Sequence, residues 1–164
     1  MNVTEHDVRE ALSRVMDPEI PTCSITDLGI VERVAVDETA IEIDLLPTFA
    51  GCPALDAIRE DVETAVRGVA ASAEIRVRFV MDPPWTTERI SDAGVRALAG
   101  YGIAGPVLVP LGRPSSVQCP YCGSMRTHED AAFGPTPCRT IQYCEACRNP
   151  FEGFKTKSER RAPR

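Results

Sequence analysis

The first residues of the chain repeat apolar side chains at helical spacing. Val8, Leu12 and Val15 recur three or four residues apart, and Thr4 precedes them as the expected N-cap, so residues 4–15 predict a helix. Two prolines shortly afterwards are expected to end this helix, because a proline disfavours the helical conformation at the residue before it.

A hairpin is predicted next, where apolar and polar residues alternate. Residues 29–36 and 40–46 both show this alternation and are rich in β-branched side chains, which indicates two antiparallel strands joined by a short turn. In the second strand, the apolar residues are expected to face the core. Glu42 and Asp44, which lie between them, are expected to face water.

Three further elements complete the predicted domain. Residues 53–69 have five apolar residues in one stripe and charged residues elsewhere, which predicts an amphipathic helix. Residues 74–80 alternate and predict a third strand, and residues 86–100 predict a last helix that begins at Thr86 or Thr87. The order α-β-β-α-β-α predicts a small α/β (α+β) fold with helices packed on one sheet.

Composition divides the chain into four parts. Residues 1–103 are the predicted α/β domain, and the Gly/Pro-rich residues 104–116 are the predicted linker. Residues 117–156 contain two pairs of cysteines and are predicted to form a separate small module. Residues 157–164 are charged and are expected to be a disordered tail.

Charge and hydropathy exclude several classes of protein. The chain of 164 residues is 43% hydrophobic and 26% charged, and no apolar run approaches the roughly 20 residues that cross a bilayer. The N-terminus lacks the basic start and apolar core of a signal peptide, so a cytoplasmic protein without membrane partners is expected. Residues 1–116 carry 10 Lys/Arg and 19 Asp/Glu, and this acidic balance argues against nucleic-acid binding.

The strongest chemical signal is a pair of C-x-x-C motifs. Cys119 and Cys122 form the first, Cys144 and Cys147 the second, and 21 residues separate them. Two such turns place four thiolates around one Zn²⁺ ion and leave no coordination position for water, which predicts a structural zinc ribbon. Gly123 suits the positive φ that often follows the second cysteine of such a turn.

The cysteine spacing alone leaves alternatives to zinc open. The four cysteines would also suit two disulfides, or an iron atom or cluster, although the spacing favours zinc. Cys138 lies outside both motifs and is interpreted either as a spare ligand or, preferably, as a buried small hydrophobe. His128 is interpreted as a strand residue at the surface in preference to a ligand.

Another cysteine, Cys52, lies where the predicted helix 53–69 begins. Proline is favoured at the first helical position, so Pro53 would place Cys52 at the N-cap. Unsatisfied N–H groups and the helix dipole there would lower the pKa of the thiol. Such a thiolate would bind a soft metal, act as a nucleophile or exchange disulfides, and a buried inert thiol is the plain alternative.

Three acidic residues precede the first strand of the hairpin. Asp17, Glu19 and Asp27 lie in a loop that borders the same hairpin as the Cys52 loop, which would allow them to approach that loop. Taken alone, such residues are more often turn and cap residues, and Cys23 beside them is ambiguous. The chain has two histidines and no Ser-His-Asp set or phosphate-binding glycine loop, so no catalytic residue is nominated.

Several segments together resemble the MIP18/SufT-like domain of iron–sulfur cluster assembly factors. They are DPEIP (17–21), SITDLGIV (24–31), PTFAGCP (47–53) and DPPWTT (82–87). Followed by the ribbon segment CPYCGS…CEACRNPFEGFK, they resemble the PaaD family, accessory subunits encoded with the bacterial phenylacetyl-CoA epoxidase. This resemblance covers about residues 5–156.

The resemblance implies maturation and not catalysis. It implies that Cys52 is the reactive cysteine and that Asp17 and Glu19, with Asp27 nearby, belong to an acidic motif for cluster or metal transfer. The implied cofactors are structural zinc and a transient iron–sulfur cluster or iron at Cys52. The implied partners are subunits of the epoxidase and its reductase, together with iron–sulfur assembly proteins, and a homodimer is left open.

Three functional hypotheses follow. The first is a maturation factor that helps insert an iron–sulfur cluster or metal into the reductase or oxygenase component. The second is a structural subunit that binds this complex and holds only zinc. The third, a thiol enzyme with Cys52 as nucleophile, is the least favoured, because no histidine base is placed near Cys52 by the sequence.

Overall fold

The computed structural model describes residues 3–105 and 117–155, which fall into two compact units that divide after Trp85. The elements of the first unit are α1 (Glu5–Leu12), β1 (Met16–Asp17), β2 (Ile20–Ser24), β3 (Val31–Val36), β4 (Ala40–Leu45), α2 (Leu55–Val69) and β5 (Glu74–Phe79). The elements of the second unit are a 3₁₀ turn (Thr87–Arg89), α3 (Asp92–Gly100), β6 (Ile103–Ala104), β7 (Thr127–Ala131), β8 (Arg139–Cys144) and β9 (Pro150–Phe154).

The first helix begins where its sequence predicts. The Thr4 hydroxyl accepts from the Asp7 N–H, and the Asp7 carboxylate accepts from the Thr4 N–H at 2.8 Å, which forms a capping box. Such a cap satisfies two N–H groups that have no partner within the helix. The helix ends at Leu12, three residues before the predicted end, and it buries Val8 and Leu12 completely.

A small hairpin occupies the segment that was predicted as a loop. Strands β1 and β2 pair antiparallel on either side of Pro18. The Asp17 carboxylate closes the turn by accepting from the N–H groups of Glu19 at 2.8 Å and Ile20 at 3.0 Å. Such side-chain to backbone bonds are what aspartate supplies in turns.

The main sheet of the first unit has the strand order β3-β4-β5. The predicted hairpin is confirmed, since β3 and β4 pair antiparallel, and β5 then pairs parallel to β4. A parallel pair requires a long crossover, and α2 supplies it. This helix buries Ile58, Val62 and Val66, while Val69 at its end is 40% exposed. The inward-facing apolar residues of β4 are fully buried, as predicted.

On the outer face of this sheet, the expectation that Asp44 faces water is wrong. Asp44 is 8% exposed, because arginines at the paired positions on both neighbouring strands fold over it. Arg33 and Arg78 each reach the carboxylate at 2.8 Å. Burial alone would raise the pKa of Asp44, but these two guanidinium groups outweigh it and leave the pKa below its usual value.

The second unit contains a four-stranded sheet with the order β6-β9-β8-β7. Strands β7, β8 and β9 form an antiparallel meander, as the ribbon prediction requires, and β6 adds to its edge in parallel with β9. The predicted helix 86–100 is shorter, and neither predicted cap is correct for α3. Ser91 caps it by accepting from the Gly94 N–H at 3.0 Å, because Ile90 is extended and interrupts the helical conformation.

Only some of the predicted domain boundaries lie within the residues that the structure describes. The predicted boundary at residue 103 assigns α3 to the first domain, whereas the compact units divide after Trp85 and place α3 and β6 in the second. Most of the predicted linker 104–116 and the whole predicted tail 157–164 lie outside the described residues. Within residues 3–105 and 117–155, no helix has the length and apolar character needed to cross a membrane.

Candidate metal centre and cysteine loop

The first cysteine turn is closed by two backbone hydrogen bonds. The Gly123 N–H donates to the Cys119 carbonyl oxygen at 2.9 Å, and the Cys119 N–H donates to the Ser124 carbonyl oxygen at 3.0 Å. Gly123 has a φ of +72°, as its position after the second cysteine predicts. Glycine adopts this left-handed conformation without a steric penalty.

The second cysteine turn repeats these bonds with a different residue at the left-handed position. The Arg148 N–H donates to the Cys144 carbonyl oxygen at 2.8 Å, and the Cys144 N–H donates to the Asn149 carbonyl oxygen at 3.1 Å. Arg148 has a φ of +59°, which is uncommon for a residue with a side chain. This equivalence is not evident from the sequence, because no glycine follows the second cysteine of this turn.

The two turns bring the four cysteines into one cluster. All four sulfur atoms lie within 4.8 Å of one another, with Cys119 to Cys147 at 3.7 Å and Cys122 to Cys144 at 3.6 Å. A tetrahedron with Zn–S bonds of about 2.3 Å has S···S edges of about 3.8 Å, whereas a disulfide bond is about 2.05 Å long. The separations therefore fit a four-thiolate zinc site and not two disulfides.

The surroundings of this cluster are those of a structural site. Cys119 and Cys144 are buried, and Cys122 and Cys147 lie closer to solvent. Burial raises the pKa of the Cys119 thiol, whereas hydrogen bonds from Asn149 lower the pKa of Cys147 to about 6. Zinc needs all four groups as thiolates, so binding competes with protons. Four thiolates fill a tetrahedral shell, and zinc bound there would act as a crosslink.

Two residues that the sequence left ambiguous lie outside this cluster. Cys138 is 8% exposed, and its sulfur atom lies 3.1 Å from the Thr136 hydroxyl, which agrees with the preferred interpretation as a small buried residue. His128 is an exposed residue of β7, as expected, and its ring packs against Tyr143 with centroids 5.6 Å apart.

Cys52 lies on the loop between β4 and α2, but it is not the N-cap. The helix begins at Leu55 with Ala54 at the N-cap position, so the predicted placement of Cys52 and Pro53 is wrong. Residues 53 and 54 form a turn, and the Cys52 N–H donates to the Phe49 carbonyl oxygen at 3.1 Å. Cys52 therefore lies two residues before the N-cap position of α2 and three residues before its first helical residue.

Two of the three acidic residues, Asp17 and Asp27, lie near Cys23 in the first unit. Asp17 is 8% exposed and Asp27 is half-buried, and the Ser24 hydroxyl donates to the Asp27 carboxylate at 2.8 Å. Burial, then Asp27 and Asp17, raise the pKa of Cys23 to about 11. Cys23 is therefore a thiol at neutral pH. Glu19 is half-buried in the β1–β2 turn.

Strand pairing places the loop of Asp27 and the loop of Cys52 at one end of the main sheet. The loop of Asp27 leads into the start of β3, and the loop of Cys52 leaves the end of β4, which pairs antiparallel with β3. The Leu46 N–H donates to the Ile30 carbonyl oxygen at 2.8 Å and joins the two loops directly. The prediction that the acidic residues border the same hairpin as the Cys52 loop is confirmed for Asp27, whereas Asp17 and Glu19 lie in the β1–β2 hairpin.

A third loop at this end was not nominated from the sequence. The chain after β5 also leaves this end, because β4 and β5 are parallel, and the Val80 N–H donates to the Leu45 carbonyl oxygen at 2.8 Å. Its Trp85 side chain is 2% exposed, and the indole N–H donates to the Leu28 carbonyl oxygen at 2.8 Å. A single tryptophan in a proline-rich segment is the signal that could have indicated such an anchor.

Comparison with known families accounts for both units. Residues 5–78 match the model of the iron–sulfur cluster assembly protein family, and residues 104–155 match that of the PaaD zinc beta ribbon domain. A protein of Escherichia coli (strain K12) that is named as one of the subunits of 1,2-phenylacetyl-CoA epoxidase is 36% identical over 156 residues, which cover 92% of each chain.

Other relatives match the first part of the chain. An Fe-S protein maturation auxiliary factor of Porphyromonas gingivalis (strain ATCC BAA-308 / W83) is 31% identical over 96 residues, or 58% of this chain and 90% of the relative. Among solved structures, a domain of unknown function, DUF59, from Bacillus anthracis has a TM-score of 0.54 and 34% identity. It covers 57% of this chain and 90% of its own.

Proposed function

The chain belongs to the PaaD family of 1,2-phenylacetyl-CoA epoxidase subunits, and we propose that it is an accessory maturation factor of that epoxidase system. Its role is to help insert an iron–sulfur cluster, or metal, into the reductase or oxygenase component. The observation that carries the proposal is the presence in one chain of an iron–sulfur assembly domain and a zinc ribbon.

Cys52 is the proposed transfer residue. It is half-buried on a surface loop, and its neighbours Phe49 and Gly51 are exposed, so a partner protein can reach this loop. Cys23 is less suited, because it is 1% exposed and its raised pKa keeps it protonated. Thiolates, not thiols, bind iron.

The acidic residues Asp17, Glu19 and Asp27 are proposed to shape the loop beside the transfer site. Asp17 and Asp27 use carboxylate oxygens to close the turns of their own segment, which supports a positioning role for them. Glu19 is half-buried in the same hairpin turn. Asp27 lies in the loop that enters β3 at the Cys52 end of the sheet, and Asp17 acts on the same Cys23 thiol as Asp27, which is the reason to include this segment.

The ribbon is proposed to dock the client and to take no part in transfer. A four-thiolate shell has no vacant position for substrate, and its metal is a crosslink for the fold. The protein partners are accordingly the epoxidase and reductase subunits, together with iron–sulfur assembly proteins. Relatives are named as maturation factors, and we nominate no catalytic residue.

Substitution of Cys52 tests this function. Cys52→Ser and Cys52→Ala are compared with Cys23→Ala, a matched removal of the other thiol of the first unit, in cells that also produce the client. We expect both Cys52 variants to bind the client normally but to leave it with less iron and sulfide. Client with full cluster content would contradict the proposal.

The competing function is a scaffold protein of the same complex that binds only zinc. The position of Cys52 favours it, since Ala54 and not Cys52 is the N-cap of α2 and the predicted reason for a reactive thiol is not met. Metal and sulfide analysis of protein purified with and without oxygen separates the two. Iron and sulfide that appear anaerobically and disappear in Cys52→Ala support transfer, whereas zinc alone under both conditions supports the scaffold.

A further inference from the structure

The two-residue strand β6 lies outside the residues 117–156 that the cysteine motif predicts as the ribbon, yet it belongs to the ribbon sheet. It pairs in parallel with β9. The N–H of Glu152 also donates to the carbonyl oxygen of Gly102, just before β6, at 3.3 Å. A strand of two residues has too few hydrogen bonds to persist alone, so β6 depends on β9 for its position.

Ala104 in β6 packs on the metal side of the sheet. It is 2% exposed and lies in one buried cluster with the zinc ligands Cys119 and Cys144. Phe151 completes the core of this cluster, and the ligand Cys147 packs against it. The packing of β6 and the placement of the sulfur atoms are therefore parts of the same small core.

Gly102 brings the chain against the first cysteine turn. Its φ is +81°, and a Cβ atom there would lie 2.7 Å from the hydroxyl oxygen of Tyr121. Tyr121 stands between the ligands Cys119 and Cys122. A side chain at position 102 would displace the exposed Tyr121 ring, and the positive φ itself favours glycine there, so the chain runs close to the Tyr121 side chain at this point.

Gly105 makes the corresponding approach to α3. A Cβ atom at Gly105 would lie 2.8 Å from Cγ1 of Val95, which is a half-buried residue of α3. The nine residues of α3 are too few for a stable isolated helix, so such contacts matter for it. The chain from 101 to 105 thus touches the sheet, the metal-side core, a cysteine turn and α3.

From these four contacts we propose that residues 101–105 are part of the zinc-binding unit. Gly102, Ala104 and Gly105 are positioning residues for the metal site, although none of them is a ligand. Zinc affinity depends on their packing, and zinc binding in turn orders them, because a coupling between two equilibria acts equally in both directions.

Paired glycine substitutions in the full chain test the first half of this coupling, namely that zinc affinity depends on the packing of residues 101–105. Gly105→Ala forces a methyl group against Val95, and we expect zinc affinity, measured by competition with a chromophoric chelator, to fall about tenfold. Gly100→Ala is the matched control, because nothing lies within 4 Å of a Cβ atom at that position. Val95→Ala combined with Gly105→Ala removes the opposing methyl groups and is expected to restore affinity.

Equal zinc affinity of Gly105→Ala and Gly100→Ala would overturn the proposal. So would a double variant that remains folded by circular dichroism but is not rescued. If Gly105→Ala fails to fold, the second half of the coupling provides an independent test.

Hydrogen exchange of the unaltered protein before and after zinc removal tests that second half. We expect amides of residues 101–105 to lose protection together with those of β8 and β9, while amides of α2 in the first unit keep theirs. Protection of residues 101–105 that survives zinc removal while β8 and β9 lose theirs would overturn the proposal.

Discussion

The sulfur atoms of the four ribbon cysteines lie within 4.8 Å of one another, whereas the two cysteines of the first unit lie on separate segments in different surroundings. Cys23 is buried beside two carboxylates, and Cys52 is half-buried on a loop. The same side chain is thus a metal ligand, an inert core residue or an accessible thiol. The neighbouring residues determine the role of each cysteine, because they set its pKa, its exposure and how many other thiolates lie close enough to bind the same metal ion.

The largest effect on stability is expected when one zinc-binding cysteine of the ribbon is removed. In Cys144→Ser, zinc binding is expected to be lost and the ribbon to unfold, because structural zinc supplies on the order of 10 kcal/mol in small modules of this kind. Zinc content and ribbon amide signals in NMR spectra measure the effect. Cys23→Ala is the matched control and should retain zinc.

The first unit is expected to stay folded in Cys144→Ser, because its own sheet and helices form a separate compact unit. Far-ultraviolet circular dichroism and the signal of buried Trp85 report on it. Simultaneous loss of the Trp85 signal would show that the first unit cannot fold without the zinc site.

Alkaline pH is expected to destabilise the first unit through Cys23. Its folded-state pKa is about 11, above the ordinary value of 9.0, so the buried thiol contributes its full stability below pH 9.0 and loses it as pH rises through 11. The loss approaches about 3 kcal/mol above pH 11, since the folded-state pKa lies about two units above 9.0 and each unit corresponds to about 1.4 kcal/mol. Urea unfolding of the first unit at several pH values measures it.

The matched variant for this pH effect is Cys23→Ala. It should be less stable near neutral pH, because a buried sulfur atom is lost, but its stability should fall less between pH 9.0 and about 11. If the free energy of unfolding fell equally with pH in both proteins, the pH dependence could not be assigned to Cys23.

The two cysteine turns offer a smaller, internal comparison. Arg148 occupies the left-handed position that Gly123 occupies in the first turn. Arg148→Gly relieves the backbone strain but loosens the unfolded chain, so a net gain of about 0.5–1 kcal/mol is expected. Gly123→Ala should cost about 1–2 kcal/mol at the equivalent position. Zinc-loaded thermal unfolding of the ribbon tests both, and a destabilised Arg148→Gly would contradict the equivalence of the turns.

The smallest expected change in stability is that of Cys52→Ala. Cys52 is half-buried on a loop, so the free energy of unfolding should change by about 0.5 kcal/mol or less. In the zinc-loaded native protein, an alkylating reagent should modify Cys52 far faster than Cys23, and peptide mass spectrometry identifies the site. Faster modification of Cys23 would reverse the distinction between the two thiols.

The sequence predicted those local features that are formed by a short stretch of chain alone. Thr4 forms the predicted cap, and the C-x-x-C spacing identifies the ribbon ligands. Cys52 was misplaced because Pro53 suits a turn as well as a first helical position, and a helix that starts two residues later removes the cap. The β1–β2 hairpin was missed because prolines and a two-residue strand carry no clear alternation.

Spacing along the chain predicted the periodic elements and the four residues that suit zinc, and the resemblance of several short segments indicated the family. The burial of Asp44, the protonated state of Cys23 and the addition of β6 to the ribbon sheet required the folded molecule. Each of these depends on residues distant in sequence: Arg78 lies 34 positions from Asp44, and β9 lies far beyond β6. Burial and pKa depend on such neighbours, which no short-range pattern of residues specifies.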